Sequence, residues 1–200
     1  EKSFFSFHPH GCLSAGWTVN GTFNEDFMRH AGGKVNWLID PALRHKNPLF
    51  RVLCDGYETK DRAIEAGNHE GFKRLMAKGE SVAFIPGGFQ DAVAFEYGRE
   101  CTVVAKRKGF VKYCLQHGYR LHPVYTFGES RTYRTFPWLR ELRMKVSQYN
   151  IPMVMFYGWP LCPVLPFPQS EILTYVGPGI DLPHLPAPSA EEVEHWHGIY

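Results

Sequence analysis

Two histidines separated by a single proline are the residues of this chain best suited to chemistry. His8, Pro9, His10 and Gly11 follow the aromatic run Phe4–Phe7, which predicts a strand, so these four residues should lie in the turn where the strand ends. Histidine is the side chain that moves protons most readily near neutral pH. Pro9 fixes one backbone angle, and Gly11 lets a substrate approach the backbone closely. The tetrapeptide predicts a proton-transfer site, although two turn histidines without a chemical role would give the same pattern.

A diglycine turn supplies the second candidate group. Pro86, Gly87 and Gly88 follow Ser81–Ile85, which predicts a buried strand, and Asp91 comes three residues after the second glycine. Backbone N–H groups in such a turn can converge on an oxyanion or a phosphate. Most Gly-Gly pairs are only turns, but beside a histidine turn this one predicts oxyanion donors and a carboxylate that orients an imidazole.

A cluster of cations surrounds the start of a predicted helix. Arg107 and Lys108 precede the apolar pattern of the helix, and Lys112 follows one turn later. The helix dipole disfavours positive charge at this end by about 0.3–1 kcal/mol for each group. A solvated basic face is the more common meaning of such a cluster, and bound phosphates are the functional alternative.

Four further residues have weaker claims to a chemical role. Cys12 and Ser14 are close enough to His10 for a nucleophile, but a free cysteine is more often a small core residue. In the last predicted helix, His197 lies on the apolar stripe and should be structural, whereas His195 should lie on the surface.

Composition sets the class of protein. The 200 residues suit one domain, and a net charge of +2 gives no overall field for nucleic acid. Five widely spaced cysteines fit a reducing compartment. We expect a single domain over residues 1–200. The chain begins with Glu1 and not Met and ends just after a helix pattern begins, so we also expect a part of a longer protein that lacks an N-terminal membrane segment and a C-terminal end.

The segment Ile151–Phe167 is rich in aromatic and apolar residues, and its four prolines forbid a continuous helix. The chain contains no run of 18 apolar residues, so the sequence predicts no plain membrane-spanning helix. The segment could line an apolar cleft, rest in a membrane interface, or cross the core.

Strand and helix patterns alternate along the chain, which favours an α/β fold. The further predicted strands are Val35–Ile39, Cys101–Ala105, Leu121–Phe127 and Thr174–Val176. The predicted helices are Asp61–Lys78, Phe110–Leu115 ending at Gly118, Trp138–Tyr149 with Leu139, Leu142 and Val146 inward and Arg140, Arg143 and Lys145 outward, and one opened by a capping box at Ser189.

Taken in order, these motifs resemble the type-two diacylglycerol acyltransferase family, which includes monoacylglycerol acyltransferases and some wax synthases. The matching segments are His8–Gly11 (HPHG), Pro86–Asp91 (PGGxQE), Arg107–Lys112 (RxGFVK), Leu121–Glu129 (LVPVYSFGE) and Val176–Tyr200 (VGxPIxVP…EEVxxxHxxY). The five motifs occur in the family's order, and the resemblance extends over nearly the whole chain. The resemblance implies a glycerolipid-acyltransferase-like fold, with a single mixed, largely parallel sheet flanked by helices.

The resemblance also implies a reaction: O-acyl transfer from acyl-CoA to the free hydroxyl of diacylglycerol, with monoacylglycerol or a wax alcohol as the alternative acceptor. His10 would be the general base, His8 would shape the site, and Asp91, which stands where the family mostly has Glu, would steady the imidazolium. The implied oxyanion donors are the backbone groups of Gly11, Gly87 and Gly88. The implied ligands of the CoA phosphates are Arg107, Lys108 and Lys112.

The implied partners are acyl-CoA as co-substrate, an acylglycerol and a membrane interface, with no metal or redox cofactor and no nucleic acid. Homo-oligomer formation stays open. The implied location is the endoplasmic reticulum membrane, with lipid droplets as a second place. Two functions of other classes are alternatives: a metal-dependent hydrolase that uses the two histidines as ligands, and a non-catalytic lipid-binding domain.

Overall fold

The computed structural model describes residues 2–136, 138, 140–147, 149 and 154–200, and the side chains at 49, 50, 53 and 140 lie outside this description. The strands are β1 Ser3–His8, β2 Val35–Ile39, β3 Arg62–Ala66, β4 Ser81–Phe84, β5 Arg120–Phe127, β6 Arg134–Thr135, β7 Phe156–Tyr157, β8 Leu173–Val176 and β9 Ile180–Asp181. The α-helices are α1 Glu25–His30, α2 Pro41–Lys46, α3 Pro48–Tyr57, α4 His69–Ala77, α5 Gly88–Ala94, α6 Gly109–His117, α7 Arg140–Ser147 and α8 Ala190–Ile199. Gly16–Thr22 forms a π-helical turn, and Val104–Lys106 and Glu129–Arg131 form 3₁₀ turns.

The main sheet has the strand order β3-β2-β4-β1-β5-β8, and β9 also pairs with β5. In this sheet order, the strands β3, β2, β4, β1 and β5 are parallel to one another, whereas β8 and β9 run antiparallel to β5. A separate pair, β6 and β7, is antiparallel. This arrangement confirms the predicted α/β class with a mixed, largely parallel sheet.

Both faces of β1 are covered, which explains its unbroken aromatic run. Phe4 packs on Phe72 of α4 and Phe110 of α6, with ring centroids 5.8 and 6.0 Å away. Phe7 packs on the opposite face against Phe27 of α1 and Trp37 of β2. Because β1 lies near the middle of the sheet between two cores, the turn that follows it starts from a rigid support.

The predicted helix Asp61–Lys78 is wrong in its first half. Its beginning forms β3, which pairs in parallel with β2, and the N–H of Gly67 extends this pairing to the carbonyl of Ile39. The helix starts only after Asn68, whose side chain accepts a hydrogen bond from the N–H of Gly71 at 2.7 Å. The pairing with β2 is non-local, so the spacing of apolar residues could not reveal it.

The predicted strand Cys101–Ala105 is also wrong. Val103 donates its N–H to the side chain of Asp91 at 2.6 Å instead of to a neighbouring strand, and a 3₁₀ turn follows. A buried carboxylate has taken the donor that a sheet ladder would need, so this segment closes around Asp91 as a loop.

Helix α7 exists within the predicted Trp138–Tyr149, but two of its side chains face the wrong way, and Leu139 lies outside the described residues. Leu142, predicted inward, is 48% exposed, whereas Arg143, predicted outward, is buried. The reason is packing: α7 lies against α5 and buries the row that contains Arg143 and Ser147.

Candidate active site

Three loops meet at the carboxyl edge of the parallel sheet. The histidine turn, His8–Gly11, begins at the last residue of β1; the diglycine loop, Pro86–Gly88, follows β4; and Glu129 follows β5. These strands are neighbours in the order β4-β1-β5. Ligands of open parallel sheets bind at this edge, so the fold brings the predicted histidine and diglycine motifs to a suitable place.

His8 is buried and belongs to the structural support of the turn. Its Nε2 lies 2.6 Å from the hydroxyl of Tyr200 and 3.0 Å from Oγ of Ser6. Burial, followed by the nearby His197, lowers the pKa of His8 to about 4. The ring is therefore neutral at physiological pH, and it connects the end of β1 to the end of α8.

His10 is only partly buried, and its ring has a defined tautomer. Nδ1 lies 3.1 Å from the carbonyl oxygen of Gly11. A carbonyl can only accept, so this bond places the proton on Nδ1 and leaves the lone pair on Nε2. Burial lowers the pKa of His10, while the Gly11 carbonyl and the charge of Asp91 act in the opposite direction. A neutral imidazole with a free Nε2 lone pair can act as a general base.

Asp91 is buried beneath the histidine turn. Its Oδ2 accepts the backbone N–H of His10 at 3.2 Å and the hydroxyl of Thr102 at 3.1 Å, and its Oδ1 accepts the N–H of Val103. The sequence predicted that this carboxylate would orient the imidazole. Instead, it holds the backbone of the histidine turn and acts on the ring through its charge.

The glycines of the site are required by close contacts. A Cβ added to Gly87 would lie 1.9 Å from Oδ2 of Asp91, so no side chain fits there. The N–H of Gly88 donates to the carbonyl of Ile85 at 3.2 Å and is engaged inside the turn. Of the three predicted oxyanion donors, Gly88 thus has its N–H paired within the turn, and the oxyanion role of Gly11 and Gly87 stays a prediction.

Glu129 is the residue of this site to which the sequence analysis assigned no role. It is fully buried, and its two oxygens accept the N–H groups of Ala15 and Gly16 at 2.9 and 2.7 Å. A Cβ added to Gly11, whose φ is +62°, would lie 2.3 Å from Oε1 of Glu129. Burial raises the pKa of Glu129 to about 7 despite these two hydrogen bonds, and the charge of Glu100 acts in the same direction as burial. Glu129 therefore fixes the segment that follows the histidine turn.

The sequence feature that could have identified Glu129 is its place directly after a predicted strand, the same position that the diglycine loop has after β4.

The thiol of Cys12, which lies near the site, does not compete as a nucleophile. Burial, followed by the charge of Glu129, raises the pKa of Cys12 to about 12, so the thiol stays protonated. In the last helix, His195 is exposed and His197 lies 3.1 Å from the carbonyl of Val104, which confirms their predicted surface and structural positions.

The structure separates the three predicted phosphate ligands. Lys108 forms an ion pair with Glu194 of α8, and Lys112 is exposed. Arg107 lines a cavity of about 340 Å³ between α4 and α6, and the cavity reaches Pro86 in the diglycine loop. Among the described residues, Arg107 is thus the member of the cluster that faces this space.

Residues 151–153 of the segment Ile151–Phe167 lie outside the description. In the described part, Val154 and Phe156 pack against a buried cluster, whereas most of the other side chains are exposed. Its most exposed apolar side chains are Met155, Leu161, Val164 and Leu165, and Leu161 is 81% exposed. A core crossing is therefore the wrong interpretation of these side chains. No helix among the described residues has the length and apolar character needed to cross a bilayer. The same residues hold no group of three or more His, Cys, Asp or Glu side chains suited to a metal ion.

Comparison with known proteins decides the family. A family model described as Diacylglycerol acyltransferase matches residues 1–200. The chain belongs to this family. The family resemblance drawn from the five sequence motifs is confirmed, and the fold brings the histidine turn and the diglycine loop to neighbouring strands.

Relatives within the family differ in the acceptor that their names give. Diacylglycerol O-acyltransferase 2 of Dictyostelium discoideum is 29% identical over 215 residues, which cover 100% of this chain and 63% of that protein. The human 2-acylglycerol O-acyltransferase 3 is 30% identical, with 96% of this chain and 59% of that protein covered. The human Acyl-CoA wax alcohol acyltransferase 1 is 28% identical, with 96% and 61% covered. The chain therefore spans about three fifths of these relatives. No solved structure matches it.

Proposed function

We propose that this chain carries the acyl-transfer site of an enzyme that moves a fatty acyl group from acyl-CoA to the free hydroxyl of diacylglycerol, forming triacylglycerol. The observation that carries the proposal is the His10 ring. Its Nδ1 proton is bonded to the Gly11 carbonyl, which leaves a basic Nε2 at the carboxyl edge of the sheet. Membership of the family supports the reaction class.

The first chemical step removes the proton of the acceptor alcohol. An alcohol is a poor nucleophile until a base takes its proton, and a positioned base contributes about 10²–10⁴-fold in rate. Nε2 of His10 would accept the proton while the alcohol oxygen attacks the thioester carbonyl carbon. Asp91, whose charge favours the protonated ring, would stabilise the imidazolium that forms.

The second step expels CoA. The carbon–sulfur bond breaks, the ester carbonyl re-forms, and the imidazolium returns its proton to the sulfur of the leaving thiolate. During both steps the negative charge on the former carbonyl oxygen would be met by backbone N–H groups of Gly11 and Gly87. One such donor is worth about 3–4 kcal/mol of barrier. The balance needs no metal, oxidant or reductant.

The acceptor would reach the site from a membrane. The exposed apolar side chains of Leu161, Val164 and Leu165 support contact with a lipid surface, and we propose the endoplasmic reticulum membrane, with lipid droplets, as the location. Monoacylglycerol and wax alcohol remain the alternative acceptors, because relatives named for both reactions match the chain as well as those named for diacylglycerol.

The experiment that tests the proposal is an acyl-transfer assay of the purified protein. Radiolabelled palmitoyl-CoA is offered with diolein, monoolein or hexadecanol, and the products are separated by lipid class. Labelled triacylglycerol as the main product supports the proposal. A preference for monoolein or hexadecanol overturns the acceptor but keeps the reaction, and no ester product with any acceptor overturns the reaction itself.

A further inference from the structure

The cavity between α4 and α6 combines aromatic walls with unpaired hydrogen-bond donors. Its aromatic side chains are Phe72, Phe84, Phe110 and Tyr113. Its volume of about 340 Å³ falls at the lower end of the range for small-molecule sites, roughly 300–1,000 Å³. The rings of Phe72 and Tyr113 lie 5.0 Å apart, and those of Phe72 and Phe84 lie 5.7 Å apart. These rings form a wall against which a planar group could stack.

Helices α4 and α6 both begin at the cavity. Asn68 and His69 open α4, Gly109 and Phe110 open α6, and all four residues line the space. The first turn of a helix carries N–H groups without intrahelical partners and the positive end of the dipole. At α4 the Asn68 side chain caps this end, but the cap residue of α6 provides no side-chain hydrogen bond. The start of α6 is therefore open to an anion.

Arg107, whose side chain is half-buried, supplies a second group that could hold an anion. Its Nε is buried and has no hydrogen-bond partner among the described residues, and the side chain lines the same cavity. Leaving a charged donor buried and unpaired is costly. A phosphate between Arg107 and the start of α6 would satisfy both at once.

We propose that this cavity binds the nucleotide end of acyl-CoA, with a phosphate on Arg107 and the start of α6 and the adenine ring among the four aromatic side chains. The inference rests on the proposed function. An acyl chain fits these observations less well, because it would leave the Arg107 Nε and the α6 donors unpaired.

The position of the cavity agrees with this assignment. Pro86 lines it, and the next residue, Gly87, lies against Asp91. The other end of the cavity reaches Gly67 at the end of β3, at the far edge of the sheet from the histidine turn. A ligand bound here can thus extend across the diglycine loop towards His10.

The test is a binding measurement by calorimetry with adenosine 3′,5′-bisphosphate, which carries the adenosine, the 3′-phosphate and one of the two 5′-phosphates of CoA without the pantetheine arm. Two variants alter the cavity: Arg107→Gln removes the charge, and Gly109→Phe fills the space at a glycine that has no atom within 4 Å of an added Cβ. Their matched controls are Lys73→Gln on the exposed surface of α4 and Gly56→Phe in α3, where an added Cβ also meets nothing within 4 Å.

We expect each cavity variant to weaken binding of the bisphosphate by about tenfold or more, since one charge-assisted hydrogen bond is worth at least that factor. The controls should stay within about twofold. Equal binding by wild type and Arg107→Gln, or competition by pantetheine as strong as by the bisphosphate, overturns the inference. Binding of inorganic phosphate as tight as that of the bisphosphate removes the adenine part, and displacement by oleate that Gly109→Phe abolishes assigns the cavity to the acyl chain.

The acyl-transfer assay separates this inference from the proposed function. Acyl transfer from palmitoyl-CoA that the bisphosphate fails to inhibit overturns the nucleotide site and leaves the reaction standing. Bisphosphate binding that depends on Arg107 and Gly109, in a protein without acyl transfer to any acceptor, overturns the reaction and supports the nucleotide site.

Discussion

His8 and His10 are two residues apart, and the structure gives them opposite surroundings. The His8 ring is buried with Tyr200 and Ser6 on its Nε2, and it holds the end of β1 to α8. In His10 the ring proton is fixed on Nδ1 by the carbonyl of Gly11, and Nε2 keeps the lone pair. The same side chain thus serves as a structural link on one side of Pro9 and as a candidate base on the other. The role of each histidine therefore depends less on its residue type than on which of its ring nitrogens already has a hydrogen-bond partner.

The largest expected effect separates the two histidines by activity. His10→Ala should lower kcat by about 10²–10⁴-fold because it removes the base. The fold should be retained, because Asp91 holds the turn through the backbone N–H of His10, which alanine keeps. The measurement is acyl transfer from labelled palmitoyl-CoA, with circular dichroism to check the fold. Lipid binding that persists without turnover would reject the non-catalytic alternative, whereas near-wild-type turnover in His10→Ala would remove His10 from the mechanism.

Two buried titratable groups around the turn also behave in opposite ways with pH. The pKa of His8 is lowered from 6.5 to about 4, whereas that of Glu129 is raised from 4.5 to about 7. A lowered histidine pKa makes the folded state lose stability as pH falls below 6.5. A raised carboxyl pKa makes it lose stability as pH rises above 4.5. In the wild type these two effects oppose each other, so variants are needed to see either one.

His8→Gln should remove the loss of stability on the acid side. With a folded pKa of about 4 against 6.5, the wild-type histidine accounts for about 3 kcal/mol between pH 6.5 and 4. The free energy of unfolding, measured by urea titration at pH 6.5 and 4.5, should therefore fall less steeply in the variant than in the wild type. Parallel curves for the two proteins would show that His8 is not a buried neutral ring.

Glu129→Gln should act in the opposite direction. The wild-type carboxyl accounts for a loss of about 3 kcal/mol as pH rises from 4.5 to 7. The glutamine variant lacks this loss, although its NH₂ group cannot accept the N–H of Ala15 or Gly16 and lowers stability at every pH by about 1–3 kcal/mol. The same urea titrations at pH 5 and 7.5 give the comparison. A wild-type slope retained in Glu129→Gln would contradict the burial of this carboxyl.

The sequence was sufficient where the deciding contacts are local. The glycine stop of α6 at Gly118 and the capping box at Ser189 depend on neighbours along the chain, and the structure confirms both. The strand before the histidine turn is also confirmed, because its unbroken aromatic run marks a strand buried on both faces, although its partners β4 and β5 lie far away in sequence. The two errors of element type, in Asp61–Lys78 and Cys101–Ala105, both involve partners far away along the chain. One segment pairs with β2, and the other donates the N–H of Val103 and the hydroxyl of Thr102 to Asp91.

In the candidate site, too, features that depend on local sequence could be predicted and features that depend on tertiary contacts could not. The histidines and the diglycine loop were visible because their residue types and strand-end positions suggest chemistry without any knowledge of contacts. Glu129 was not assigned, because its burial and its contact with Gly11 arise only when β5 pairs with β1. The separation of Arg107 from Lys108 likewise depends on Glu194, which lies on α8. Residue type indicated which groups could react, and tertiary packing decided which of them share a space.

The smallest expected effect concerns the glycine between His10 and Glu129. Gly11→Ala meets two obstacles: a φ of +62° and a Cβ placed 2.3 Å from the buried Glu129 side chain. Gly98→Ala is the matched control, because its φ is +75° and its Cβ would meet nothing within 4 Å. Both variants pay the backbone cost of about 1–2 kcal/mol, and Gly11→Ala should lose about 1–3 kcal/mol more through overpacking.

The difference in stability between Gly11→Ala and Gly98→Ala is informative about the histidine turn only if kcat changes in the same variant. Displacing Gly11 also moves the carbonyl that fixes the His10 tautomer, so Gly11→Ala should lower kcat, while Gly98→Ala should leave kcat within about twofold at a temperature where both are folded. Equal stabilities of the two variants in urea titration would show that Glu129 can move away from the turn. The histidine turn would then lose one of the two carboxylates that hold it, and the fixed tautomer of His10 would need another explanation.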